Sequence, residues 1–266
     1  MCHDISVVRT MANIDRSAKS GNDWTTDDLR AYNVTIENQD FGTFFGQPLP
    51  SLQPSELLTK QQAADMTSVE NYRVISFMDL AMNRMPNEES KVAQFTEKLL
   101  GALEYETLAK SVVLQQQMPL FICGESRHAT ADICIVDMSE ILLVGQEDKR
   151  HMDAGDPDPQ LIAEAIAAFQ FNNYKRTRVL NEPALKSKVI AGITMLGTAP
   201  TFFKIPVTQD LVSAVELGQY PATPTVVSMH VPDIPRPSCR VAEGMEPLDN
   251  REVIFACFEA FKQFVW

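Results

Sequence analysis

The stretch ADICIVDMSEILLVGQEDK, residues 131–149, followed after an acidic loop by DPQLIAEAIAAF at 158–169, decides the fold. Ala131 to Val136 and Ile141 to Val144 are short apolar runs rich in β-branched residues, and a polar turn separates them. Runs of that length and composition read as strands rather than helices. Asp158 before Pro159 reads as an N-cap with proline at the first helical position. Ile162, Ala165, Ile166 and Phe169 then recur at helical spacing and form one buried stripe.

Working outward, Pro119 to Cys123 adds a strand upstream. Before it, a helix is predicted after Pro86-Asn87, with Glu88 and Glu89 in its first turn, where acids suit the positive end of the dipole. Val92, Phe95, Leu99, Ala102 and Leu103 form its apolar stripe. Downstream, Val189 to Val207 reads as strands on either side of Gly197, and Thr208 caps a helix to Leu217. Residues 220–250 are proline-rich and read as a long loop or edge excursion, and Arg251 to Trp266 as an aromatic helix on the core. Alternating strands and helices in this order predict an α/β fold, a mixed central sheet with flanking helices. Residues 1–85 are expected as an N-terminal arm and extension packing on a core domain of 86–266. Within the extension, residues 1–23 read as a loose arm, Thr25 or Thr26 as a helix cap, Asn33 to Ile36 as a short strand, and 41–58 as an irregular segment pinned by phenylalanines.

With 266 residues, 45% apolar and 22% charged, the chain has ordinary globular composition and no internal repeat. No run reaches the roughly 18 apolar residues of a membrane helix, and MCHDISVVRT lacks the basic start and apolar run of a secretory signal. The expectation is a protein of the cytoplasm, with the nucleus open to it, and no membrane partner. The net charge of −12 repels phosphate backbones and argues against general nucleic-acid coating, though not against a small site where a metal ion screens the acids. Five cysteines without a CxxC pair point to unpaired thiols. Cys123, His128 and Cys134 lack a fourth ligand at zinc-finger spacing. Asp153, Asp156 and Asp158 lack the closing glutamate of a calcium loop and read as loop plus helix cap.

The chemistry-bearing group is Asp132 with Glu147 and Lys149. Residues 147 and 149 lie two apart on one strand and so share a face. A turn of even length between the strands, Met138-Ser139 or Asp137 to Glu140, places Asp132 directly opposite Gly145. Asp132 is then a diagonal neighbour of Glu147, within roughly 7–8 Å, and Gly145 leaves a notch. Paired carboxylates suit Mg²⁺ or Mn²⁺, which fill their remaining positions with water and phosphate oxygens. Lys149 is placed to orient a bound water or to stabilise developing negative charge.

These residues resemble the core of the PD-(D/E)XK, or restriction-endonuclease-like, nuclease superfamily, in which an Asp at a strand end is followed by (D/E)-x-K on the next strand. The resemblance covers about residues 88–210, with alanine at 131 where the family usually has proline. The wording of ADICIVD, EILLVGQEDK, PQLIAEAIAAFQ and GTAPTFFKIPVT is also similar to that of uncharacterised fungal proteins with this core. The resemblance implies a Mg²⁺-dependent hydrolase acting on nucleic acid, with Asp132, Glu147, Lys149 and Gln160 as catalytic residues. Gln160 stands where some members carry a glutamine on the following helix, and Glu164 is one turn further on the same helix face. The family often adds an acid from the first helix. At about 100° per residue, Glu106 falls within the stripe of Phe95 and Leu99 while Glu104 faces away, so Glu106 joins Asp132 and Glu147 as a metal ligand. The competing readings are a non-catalytic binding module on the same fold, which the −12 charge favours, and a hydrolase of small phosphorylated molecules.

Overall fold

A computed structural model describes residues 16–83, 91–138, 140–147 and 156–266. Its centre is a seven-stranded mixed sheet of order β1-β7-β6-β5-β4-β3-β2. The strands are β1 (Val34–Asn38), β2 (Lys110–Ile122), β3 (Glu125–Asp137), β4 (Ile141–Glu147), β5 (Ser187–Leu196), β6 (Ala199–Thr208) and β7 (Thr225–His230). The longer helices are α4 (Val69–Met82), α5 (Lys91–Ala102), α6 (Pro157–Arg178), α7 (Gln209–Leu217) and α9 (Leu248–Phe261). The short helices α1 (Thr26–Ala31), α2 (Phe41–Phe45), α3 (Glu56–Thr59) and α8 (Arg240–Glu243) lie in the connections. The expected α/β class and mixed sheet are what the structure shows. The sheet draws β1 from before position 86 and its other strands from after it. Among the described residues, no helix is long and apolar enough to cross a membrane.

In the central section, β2, β3 and β4 are antiparallel neighbours, and β4 runs parallel to β5. A parallel pair needs a crossover, and α6 supplies it. α6 covers one sheet face with Leu161, Ile162, Ala165, Ile166 and Phe169, all essentially inaccessible, as the periodicity predicts. Its N-cap is Asp156 rather than Asp158: the Asp156 carboxylate accepts from the Asp158 amide, and Pro157 takes the first helical position. α6 is locked along the sheet by Asn172, whose amide donates to the Ile141 carbonyl at 2.9 Å and accepts from the Ile141 N–H at 2.8 Å. Further along, Gln170 accepts from the Phe121 N–H at 2.9 Å and donates to its carbonyl at 3.0 Å, on β2 at the sheet edge. The opposite face is covered by α4, α5 and α9, which contribute Val74, Met78, Phe95, Leu99, Phe258 and Phe261 to a second apolar cluster.

Three stretches depart from the sequence reading. Residues 16–24 dock rather than hang loose: the Asn22 side chain bonds both the N–H and the carbonyl of Thr130, and Trp24 is buried. A methyl group on Gly21 would come within 2.5 Å of Ala129 Cβ, so only glycine fits where this arm passes β3. The proline-rich stretch 220–250 holds β7, paired with β1 and β6, its six residues bounded by Pro224 before and Pro232 after. The prolines mark the ends of a strand rather than an excursion. Finally, α4 has no counterpart in the sequence reading, because Val74, Ile75, Met78 and Ala81 make only a narrow stripe.

Asn172→Ala removes the partners of a buried N–H and a buried C=O. It is expected to lower stability by about 2–4 kcal/mol in urea denaturation, with the far-UV spectrum unchanged. A loss under about 0.5 kcal/mol would show that apolar packing alone sets the position of α6.

Candidate functional site

The register of β3 against β4 decides what Asp132 faces. The turn is the four-residue one, closed by the Asp137 N–H on the Glu140 carbonyl, and Val136 pairs with Ile141 as the expected parity requires. A bulge between Ile135 and Val136 then shifts the ladder by one, so Ile133, not Asp132, is opposite Gly145. The isoleucine occupies the space beside that glycine: a Cβ added at Gly145 would lie 2.5 Å from Ile133 Cγ2. The expected notch of Asp132 against Gly145 is therefore corrected, and the bulge is the cause.

Rows across the sheet show where Asp132 does belong. Cys134, Val144, Gly192 and Phe203 are consecutive partners beneath α6. Ile133, Gly145, Ile193 and Phe202 make the next row, on the opposite face. The row after that returns to the α6 face with Gln146, Thr194 and Thr201, while the β3–β4 ladder ends at Ile133, one residue short of Asp132, whose charge acts on Glu164 of α6. Glu147 is paired with Met195, whose side chain belongs to the opposite cluster, so in strand alternation position 147 follows Gly145 and not Gln146. The side chain of Glu147 and all of Lys149 lie outside the described residues.

Asp132 sits at a break in the β2–β3 ladder. Leu114 pairs with Ile133 and Gln116 with Ala131, while Gln115 takes a left-handed conformation with φ of 53°. That conformation is costly for a residue with a side chain. Gln115 Nε2 donates to Asp132 Oδ1 at 2.8 Å, so the strained residue is the one that fixes the acid. The strand turns over here: Ala131 belongs to the cluster under α6, and Ile133 to the other.

Facing this row from above is Glu164. From the Asn172 clamp, eight residues back along α6 is about 12 Å, which is roughly the distance from Ile141 to between Val144 and Gln146 on β4. Helical side chains lean toward the N-terminus, which carries the Glu164 carboxyl toward the Gln146 row. Glu164 is 0% exposed, and neither carboxylate oxygen has a hydrogen-bond partner. The Gln146 side-chain oxygen is likewise buried without a partner. Burial, and secondarily the charge of Asp132, hold the Glu164 pKa well above the usual carboxylate range. Burial, then the charges of Glu164 and Asp132, raise the Cys134 thiol as well, so it is an inert core thiol. The four described cysteines are all unpaired. Gln160, one turn nearer the start of α6, is half-buried.

Glu106 is not brought to this site. α5 ends at Ala102, Tyr105 fills the buried position beyond it, and Glu106 is exposed, accepting from the Val112 N–H at 3.0 Å. Val112 is three residues along β2 from Gln115, roughly 10 Å of strand. The apolar stripe does not carry Glu106 because the helix stops a turn before it. Among the described residues, no group of at least three His, Cys, Asp or Glu side chains is gathered as a metal-ligand set. The buried oxygens of Glu164 and Gln146, which have no donor, and the nearby Asp132 carboxylate are of the type that suits a hard cation.

Sequence reasoning placed Gln160 and Glu164 on one face but gave Glu164 no role, and it missed Gln146 and Gln115. A signal for Glu164 was present: it is an acid inside LIAEAIAAF, residues 161–169, a run otherwise apolar all round. Nothing in sequence marks Gln115, whose part depends on a broken ladder.

The sign of the Glu164 pKa shift gives a test. Below the carboxyl's unfolded value, near 4.5, it is protonated in both states and adds no pH dependence. Above that value only the unfolded chain releases the proton, so wild-type stability falls as pH rises, by about 1.4 kcal/mol per unit until the folded pKa is reached. Glu164→Gln is therefore expected to gain stability relative to wild type between pH 4 and pH 7, read as a widening Tm difference in metal-free buffer. A constant difference would mean that Glu164 ionises freely. Comparison of the sequence with protein-family models finds no match, and a search of curated proteins finds none.

Proposed function

We propose that this chain is a metal-dependent phosphodiester hydrolase, a nuclease, with Asp132 as its anchoring acid. The observation that carries the reading is the position of Asp132. It lies on β3 one residue beyond the Ile133–Gly145 pair, near the carboxyl ends of the parallel pair β4 and β5, and its charge acts on the buried Glu164 of α6. In open α/β sheets, ligands bind outside the carboxyl ends of parallel strands. The order α5, β2, β3, β4, α6, β5, with β4 parallel to β5, also agrees with the helix, three strands, helix and strand that the resemblance implies.

Asp132 and the Gln146 oxygen are the described groups that would hold Mg²⁺ or Mn²⁺. The ion, when bound, supplies water activation and charge neutralisation on a phosphodiester. Gln115 keeps Asp132 in one orientation through its hydrogen bond. Gln160, half-buried in the first turns of α6, would donate its amide to a phosphate oxygen, and Lys149 carries the role of orienting the attacking water that the resemblance implies. A binding module without catalysis is the second reading. It is favoured by the register that puts position 147 on the row of Met195, apart from Asp132, and by the −12 charge.

The test is incubation of plasmid, single-stranded DNA and RNA with Mg²⁺, Mn²⁺ or Ca²⁺, using wild type, Asp132→Asn and Lys149→Ala. Cleavage is expected with Mg²⁺ and Mn²⁺ and little with Ca²⁺, whose looser shell suits one reacting geometry poorly. Lys149→Ala is expected to lower the rate by about 10²–10³, the cost of one preorganised donor. Equal cleavage by wild type and both variants, or none by wild type on any substrate, retires the hydrolase in favour of the module.

A further inference from the structure

We propose that Glu164 of α6, rather than Glu147 of β4, is the second carboxylate of a divalent-cation site, with Asp132 and the side-chain oxygen of Gln146. The inference rests on the reading of Asp132 as the anchoring acid and names the group that completes its site.

The argument starts from hydrogen-bond accounting. Nearly all buried polar atoms in folded proteins have a partner, and each exception needs a cause. Here three such exceptions, Glu164 Oε1, Glu164 Oε2 and Gln146 Oε1, lie along the same stretch of α6 and β4, and all of them are acceptors. Carboxylate and amide oxygens are the donor type that Mg²⁺ and Mn²⁺ prefer. Two carboxylates, from Asp132 and Glu164, balance the charge of one divalent ion, and Asp132 is close enough for its charge to act on Glu164. Asp132 and Gln160 are only half-buried, which gives the ion a way in from the rim while Glu164 closes the inner end. Position 147 has a weaker claim, since its backbone partner Met195 lies on the row of the opposite core.

An ion binds the carboxylate form of Glu164, so any proton it carries leaves on binding. The charged group that acts on Glu164 is Asp132, and Glu164 in turn raises the Cys134 thiol, both from β3; β4 and β5 present Gln146 and Thr194 in their row.

The experiment is calorimetric titration of the full chain with MnCl₂ and with MgCl₂, in two buffers of different ionisation enthalpy so that released protons are counted. Wild type, Glu164→Gln, Glu164→Asp and Glu147→Gln are compared, each checked for its far-UV spectrum. Wild type is expected to bind one ion with about one proton released at neutral pH. Glu164→Gln should weaken binding by about tenfold or more and abolish the proton release. Glu164→Asp, which keeps the charge one methylene back, should bind more weakly than wild type but still release a proton, and it serves if the glutamine variant fails to fold. Glu147→Gln should bind within about threefold of wild type. Wild-type-like binding and proton release by both Glu164 variants, loss of binding in Glu147→Gln alone, or no binding by wild type overturns the assignment. Metal binding lost in Glu164→Gln, with no cleavage by wild type, keeps this site and retires the hydrolase. Cleavage that persists undiminished in Glu164→Gln does the reverse.

Discussion

The paired hydrogen bonds between the Asn172 amide and the backbone of Ile141 set the position of α6 along β4, and much else follows from that position. A helix crossing over a parallel pair is free to slide by a residue or so if only apolar contacts hold it, because alanines and isoleucines on a sheet surface tolerate several registers. A buried amide that must satisfy both an N–H and a C=O of one residue does not tolerate a slide. With α6 pinned there, Glu164 comes over the row of Gln146 and Thr194, and Gln170 comes to the edge strand. The connection between fold and site is thus one side chain, two helical turns from the acid it positions.

Glu164 is best understood beside Arg251, an equally buried ionisable residue on α9. Arg251 is 1% exposed, but its guanidinium donates to the carbonyls of Leu57, Lys60, Met245 and Glu246 and so ties α3 and the segment after α8 to α9. Burial lowers its pKa only to about 10, so it stays charged at neutral pH. That is a satisfied structural charge, whose removal would leave carbonyls without donors. Glu164 has the same burial and none of the satisfaction. A folded chain tolerates such a group as a neutral acid or as half of a complex, and its sequence context, apolar on all sides, offers no solvent to which it can escape. His230 is an intermediate case: it is buried among Phe41, Phe44 and Phe45, its pKa is lowered by burial, and its Nδ1 meets the Gln39 carbonyl at 2.9 Å.

How much of this was legible in the sequence follows from which signals are local. The α6 stripe, the Thr208 cap of α7 and the paired strands around Gly197 depend on residues close in sequence and are found where the pattern puts them. The turn after Asp137 was also readable, and it started the β3–β4 ladder in the expected parity. The bulge beside Ile135 and Val136 was not, because its extra residue is Leu142 of β4, and packing rather than local sequence sets Leu142 and Leu143 together in one core between Ile141 and Val144 of the other. One inserted residue put Ile133 rather than Asp132 opposite Gly145, so a site argument built on alternation failed by a single step while the strands around it were right. Glu106 failed for a similar reason: helical angle says where a residue points only as long as the helix lasts, and α5 gives way to a left-handed Glu104, with φ of 60°, before reaching it.

The use that Glu106 does have bears on how the molecule behaves among copies of itself. β2 is an outermost strand of the sheet, thirteen residues long, and an unpaired backbone edge of that length invites another chain to add a strand. Along β2, Glu106 occupies the Val112 N–H, the left-handed turn at Gln115 breaks the straight run, Pro119 has no N–H to offer, and Gln170 occupies both polar groups of Phe121. These four interruptions leave no stretch of the edge long and regular enough to template an incoming strand. A glutamate read as a metal ligand thus serves instead to keep a half-apolar hairpin from growing into intermolecular sheet. Deleting it would matter first to colloidal behaviour at high concentration, and only then to the fold.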